Sequence, residues 1–284
     1  MQEHHVITKH SPLGVIDSGV GGLTTVAALS KLLPGENVIY CGDNGNAPYG
    51  NRTGAEIVEL TSHMLRYLAN RGVKMVAVAC NTISTTFDLP EFGGYQDQFG
   101  VPVLSIVRAA AEDVGHLRYQ SVGVIATAFT IASRCYPTLI DELDPDIAVF
   151  GEPSVNLAAL IEQGDLTSAA IDTEVTNHLN DLLDAHSVRD IVLGCTHYPI
   201  LQPLFEAKAP HVAFINPAKD QARDVRLQLV KSGLLLHGSH DTVGTLEINT
   251  SGTRPVFDTV LNELGITRDY TLTEHVDYAS VSAS

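Results

Sequence analysis

Lys74-Met75-Val76-Ala77-Val78-Ala79-Cys80-Asn81-Thr82 and Asp190-Ile191-Val192-Leu193-Gly194-Cys195-Thr196-His197 share one pattern. Each is an apolar run of strand length, closed by a cysteine that opens a polar triplet. Two thiols delivered by two similar strand ends are placed to approach one substrate atom from opposite sides.

The likeness extends outward from the cysteines. Gly14-Val15-Ile16 recurs as Gly123-Val124-Ile125, 109 positions later, and Val38 to Asp43 recurs as Ile147 to Glu152 at the same offset. The cysteine strands follow at an offset of 115, so three strand-like segments keep their order through both halves. This is the pattern of a diverged internal duplication.

Short runs rich in Val and Ile (13–16, 38–41, 75–79, 101–107, 121–125, 147–150, 191–193 and 212–215) alternate with stretches of helical period, such as Leu23 to Leu33, Glu56 to Asn70 and Thr173 to Leu183. That alternation predicts an α/β fold with parallel sheets covered on both faces. Ligands of such sheets bind beyond the carboxyl ends of the strands, which puts Asp17, Asp43, Cys80, Thr127, Glu152 and Cys195 on the functional edge. The Gly-rich stretch Glu91 to Gly100 reads as a seam between halves, and Pro255 to Leu264 as a further helix. Asp269 to Ser284 is polar and reads as a loosely attached tail, and His4 and His5 sit in a leader without a pattern.

Composition narrows the function classes. The 284 residues suit one large or two medium domains, and 44% hydrophobic content can fill more than one core. Seventeen basic against thirty-three acidic residues give a formal charge of −16, which offers no basic stripe for nucleic acid or a lipid surface. No apolar run approaches the ~20 residues of a membrane span, and Met1 to His10 lacks the apolar stretch of a secretion signal. The expectation is a soluble, cytoplasmic protein with four thiols rather than a disulfide framework. An anionic small molecule remains a suitable partner, because backbone amides at strand-to-helix turns hold carboxylates without Lys or Arg.

A thiol acts as a base only as thiolate, and an ordinary cysteine, with a pKa of ~8.5, is only a few per cent ionised at neutral pH. Asn81-Thr82 and Thr196-His197 place amide, hydroxyl and imidazole groups directly after the two thiols. His197 can exchange protons near neutrality, and Asp17 can do so for the other thiol if its surroundings raise its pKa. Asp17-Ser18-Gly19-Val20-Gly21-Gly22 lies between a strand and a helix, where Asp or Ser would cap the helix or bind an ammonium group. It is neither a dinucleotide fingerprint nor a Walker loop. Pro48-Tyr49-Gly50 reads equally as a turn or as a ligand-clamping loop. Cys195-x-His197 lacks the companion ligands of a zinc site, so no metal is expected. A redox pair of Cys80 with Cys195 is left open by the sequence.

Together, Val15-Ile16-Asp17-Ser18-Gly19-Val20-Gly21-Gly22-Leu23, Gly42-Asp43 with Pro48-Tyr49-Gly50, Ala79-Cys80-Asn81-Thr82 and Gly194-Cys195-Thr196-His197-Tyr198-Pro199 resemble the glutamate racemases, cofactor-independent enzymes of bacterial cell-wall (peptidoglycan) synthesis. The likeness runs from about Leu13 to Gly265. It implies two similar α/β domains, 1–100 plus 216–284 and 101–215, related by a pseudo-two-fold axis with the active site between them. It further implies a cytoplasmic homodimer acting on glutamate without cofactor, metal, nucleic acid or membrane. Cys80 would deprotonate D-glutamate and Cys195 L-glutamate, assisted by Asp17 and His197 respectively. Asp17, Ser18, Pro48, Tyr49, Gly50, Asn81, Thr82, Thr127, Thr196 and His197 would hold the substrate, with Thr130, Glu152 and Glu162 as secondary candidates. A racemase of another acidic amino acid, such as aspartate, and a non-catalytic amino-acid-binding homologue are the alternatives. The chain departs from the family pattern at Phe129, Ile83, Arg108 and Asn216.

Overall fold

In the computed structural model, which describes residues 6–116, 120–236 and 243–281, ten strands form two sheets. They are β1 (Leu13–Asp17), β2 (Val38–Gly42), β3 (Met75–Val78), β4 (Val103–Ser105), β5 (Ser121–Thr127), β6 (Ala148–Ser154), β7 (Asp190–Gly194), β8 (Ala213–Ile215), β9 (Leu246–Thr250) and β10 (Tyr270–Thr273). The larger sheet has the order β10-β9-β2-β1-β3-β4 and the smaller one β6-β5-β7-β8. All described pairings are parallel. The element β2-β1-β3-β4 therefore has the same strand order as β6-β5-β7-β8.

The register tests the duplication residue by residue. Gly14 pairs with Val76 and Gly123 with Ile191, which reproduces the offset of 115 and makes Cys80 and Cys195 equivalent strand-end positions. The other match slips. Gly14 pairs with Ile39, whereas Gly123 pairs with Phe150, so β6 stands two residues further along than the offset of 109 implies. A shift of two keeps every side chain on its face, and hydrophobic patterning cannot detect it. Asp43 is thus the counterpart of Ser154, and Glu152 lies inside β6 rather than at the ligand-binding edge.

Burial accounts for the strands. Leu13 to Asp17 and Val38 to Gly42 are buried throughout, as expected where helices cover both faces. Each fully buried Leu, Ile or Val contributes about 1.5–3 kcal/mol. Helix Gly54–Asn70 opens with a capping box between Thr53 and Glu56 and buries Ile57, Thr61, Met64, Leu65 and Leu68 at helical spacing. After β8, helix Pro217–Lys231, capped by Asn216, returns to the larger sheet. There Gln221 Nε2 donates to the carbonyls of Val78 and Leu104 at 2.8 and 3.1 Å, and its Oε1 accepts from Thr25 Oγ1 at 3.0 Å. One amide thereby locks the carboxyl ends of two strands beside Cys80. At the opposite end of the sheet, the buried Lys74 Nζ donates to Glu36 Oε2 at 2.5 Å and to the carbonyls of Lys9 and Leu234.

Three expectations are corrected. The apolar run 101–107 is not one strand: β4 ends at Ser105, whose Oγ accepts from Arg108 N at 3.2 Å, and helix Ile106–His116 begins there. Strand β4 belongs to the larger sheet, beyond the seam expected in Glu91 to Gly100, which instead contains a short 3-10 turn, Tyr95–Phe99. The supposed tail is integral to the fold. Its residues 270–273 form β10, Tyr278 is buried, and Tyr278 Oη donates to the Asn249 carbonyl at 2.7 Å. His4, His5 and residues 282–284 lie outside the described residues.

Candidate active site

The carboxyl ends of β1, β3, β5 and β7 meet at one narrow cleft. It is lined by Ser18, Ala47, Pro48, Tyr49, Gly50, Cys80, Asn81, Thr82, Thr127, Ala158, Glu162, Cys195, Thr196 and His197. All but three of these residues were expected from the sequence to be substrate-binding or catalytic; Ala47 and Ala158 were not, and Glu162 was only secondary. Asp17 lies beneath the wall, fully buried. Glu152 is elsewhere, its Oε1 2.8 Å from His178 Nδ1. Cys41 and Cys135 are also outside the cleft, and all four cysteines are free.

The loop after β1 makes room for the site. A Cβ on Gly19 would fall 1.9 Å from Glu162 Oε1, and one on Gly21 would fall 2.5 Å from Thr196 Oγ1 and 2.7 Å from His197 Nδ1. At Gly21, where the His197 backbone N also lies 2.8 Å away, close approach requires glycine; at Gly19 a side chain would displace the Glu162 carboxylate from its present place. Of the two uses expected for Asp17 and Ser18, capping the following helix is not the one seen, since that helix has no side-chain cap. Asp17 instead accepts from Gly19 N at 3.0 Å and, through its other oxygen, from Thr196 Oγ1 at 3.0 Å. Beside it Asp43, at the end of β2, accepts from Tyr49 Oη and Ser251 Oγ, each at 2.5 Å, and so fixes the 48–50 loop as a wall of the cleft.

The two thiols have different neighbours. Cys80 directly precedes helix Asn81–Thr86, and its Sγ donates to Ser18 Oγ at 3.4 Å. Burial pushes its pKa up to about 12, and the Asp17 carboxylate adds to this, against opposing pulls from Ser18 and the Ile83 N–H. At neutral pH Cys80 is a thiol. Cys195 Sγ lies 3.6 Å from His197 Nδ1, and His197 Nε2 lies 2.6 Å from Glu162 Oε1. Burial alone would lower the imidazole pKa. The hydrogen bonds to Cys195 and Glu162, reinforced by their charges, outweigh it and hold His197 well above its ordinary value. With both ring nitrogens protonated, His197 gives one N–H to the carboxylate and the other to the sulfur. Asp17 is pushed to about 6 by burial, against the pull of His197, Gly19 N and Thr196. It titrates close to neutrality, as the sequence reading required of it.

Three hydroxyls join the two halves across the floor. Thr127 Oγ1 lies 2.9 Å from both Thr82 Oγ1 and Thr130 Oγ1. Neutral hydroxyls, amides and the N–H groups of strand-to-turn junctions dominate the wall, a lining suited to an anionic ligand in an acidic protein. Phe129, which departs from the family pattern, is only partly buried against the first sheet's outer core and is not part of the lining.

Comparison with known proteins agrees with this geometry. Residues 14–224 match the family model described as Asp/Glu/Hydantoin racemase. Glutamate racemase of Neisseria gonorrhoeae is 35% identical over 236 residues, which are 83% of this chain and 86% of the relative. That of Herpetosiphon aurantiacus is 36% identical over 245 residues, covering 86% and 94%. Among solved structures, glutamate racemase of Francisella tularensis in complex with D-glutamate superposes with a TM-score of 0.83 at 28% identity, covering 96% of this chain and 99% of that one. The chain belongs to the Asp/Glu/hydantoin racemase family.

Proposed function

We propose that this member of the Asp/Glu/hydantoin racemase family interconverts L- and D-glutamate through two opposed thiols and without an added cofactor. The observation that carries this reading is that Cys80 and Cys195, equivalent strand ends of two sheets with one strand order, line a single cleft. In one direction the Cys195 thiolate takes the α-proton of L-glutamate as the Cys80 thiol gives its proton to the opposite face. In the other direction the roles exchange. Each turnover leaves the two sulfurs with their protonation states swapped; neutral Asp17 returns a proton toward Cys80, and the imidazolium of His197, held by Glu162, favours loss to solvent of the proton that Cys195 has gained. Ser18, Pro48, Tyr49, Gly50, Asn81, Thr82, Thr127 and Thr196 position the substrate. They bring the α-carbon within the roughly 3–3.5 Å of each sulfur that a near-attack geometry needs.

The D-glutamate formed would serve peptidoglycan synthesis in the cytoplasm. No helix among the described residues is long and apolar enough to cross a membrane. We further infer a homodimer built of two-domain protomers, to be checked by light scattering. The activity is tested by circular dichroism on purified, pyridoxal-free protein, with deuterium entering the α-position in heavy water. Turnover of aspartate in preference to glutamate would overturn the substrate assignment.

A further inference from the structure

Asn81 is the first residue of the helix that Cys80 introduces, and it faces the cleft from the half of the molecule built on the larger sheet. Its side chain is 2% exposed, yet its Nδ2 has no hydrogen-bond partner. An amide nitrogen left unpaired in so buried a place costs on the order of 1–3 kcal/mol, and a ligand that supplies an acceptor recovers it. The amide's orientation is set from the other half. Tyr136, on helix Cys135–Leu143 in the core of the smaller sheet, donates its hydroxyl proton to Asn81 Oδ1 at 2.7 Å. Tyr136 is itself 2% exposed and is not part of the cleft wall.

We propose that Tyr136 is a positioning residue: by occupying Asn81 Oδ1 it holds the amide with both Nδ2 protons turned to the carboxylate of the bound amino acid. The reverse orientation is disfavoured by counting protons. A turned amide would donate to the tyrosine oxygen and leave the Tyr136 proton without its acceptor. Burial and the neighbouring Cys135 and Asp220 raise the phenol well above its ordinary pKa, so the hydroxyl stays a donor throughout the working pH range. The contact also joins the helix that follows Cys80 to a helix packed in the core of the smaller sheet. Tyr136 thereby acts on the amide without touching the substrate.

This assignment rests on the glutamate reading of the cleft, and the test separates the two. Tyr136→Phe keeps the ring and its packing while removing the proton that orients Asn81. It should raise KM for both enantiomers about five- to tenfold, the loss expected of one neutral hydrogen bond, with kcat changed less than twofold and an unaltered far-ultraviolet spectrum. In an Asn81→Ala background the same substitution should change KM by less than a factor of two. A KM unchanged in Tyr136→Phe, or a rise of equal size with and without Asn81, overturns the positioning role while leaving the racemase reading intact. Wild-type protein that neither binds nor racemises glutamate overturns both.

Discussion

The two cysteine-bearing strand ends are built alike and furnished differently. Both follow buried strands next to the central strand of their sheet, and both face the same cleft. Yet Cys80 has a hydroxyl for its nearest polar neighbour and is kept protonated by burial, with a buried carboxylate adding to it, whereas Cys195 has an imidazole that the sulfur itself and a second carboxylate keep charged. The shared strand order fixes where each thiol stands. Its protonation state is set by neighbours that differ between the two sheets. The arrangement is a thiol on one side and a sulfur beside a cationic imidazole on the other.

The sharpest break would come from the thiols themselves. Cys80→Ala and Cys195→Ala are each expected to lower racemisation by about 10³-fold or more, the order seen when a positioned proton-transfer group is lost. Both directions should fall together, because enantiomers have equal free energies. Substantial racemisation by both single variants, followed polarimetrically, would refute the idea of opposed and distinct roles.

Next in size is Glu162→Gln, which keeps the acceptor oxygen used by both Val20 N and His197 Nε2 but removes the charge. A kcat lower by about 10- to 100-fold is expected. The limb of the pH profile due to His197 should move toward acid, since the charge that raises its pKa is gone. A limb that stays in place would show that the imidazole is not governed from this side.

Asp17→Asn sharpens the comparison through stability. The folded-state pKa of Asp17, about 6, lies above its ordinary 3.8. The neutral form therefore stabilises the fold at low pH, and that contribution is lost as pH rises through about 6. The variant should be more stable than wild type by up to about 3 kcal/mol near pH 8 and by almost nothing below pH 3.8. It should also be less active. Urea melts across that range would expose the wrong sign. The smallest effect is expected from Thr130→Val, which touches what the two sides share. Loss of one member of the hydroxyl trio should cost about 1 kcal/mol and change KM for both enantiomers by the same few-fold factor.

Much of the site was legible because its residues sit at strand ends, where apolar runs stop abruptly at Asp17, Cys80, Thr127 and Cys195. What escaped had no one-dimensional signature. The two-residue slip of β6 preserves the alternation of faces, so Glu152 matched Asp43 by offset although Ser154 occupies that place. Strand β10 is an edge strand paired on one side only, and its polar alternate residues conceal Tyr270 and Leu272, which pack against the core. The run 101–107 is apolar across the junction of strand and helix, and only the Ser105 cap marks the change. Glu162 ends a short helix, where a glutamate ordinarily faces solvent. Its engagement of Val20 N and His197 is made across 142 and 35 residues of chain.

That last contact makes one atom an anchor for two distant segments. Glu162 Oε1 accepts from Val20 N at 2.7 Å and lies 2.6 Å from His197 Nε2, so a single oxygen fastens the loop after β1 to the imidazole carried by the other sheet. Truncating that side chain in Glu162→Ala should therefore loosen both at once, and amide hydrogen exchange should quicken at Val20 as well as around His197. Exchange that quickens on one side only would show that the two segments are anchored independently.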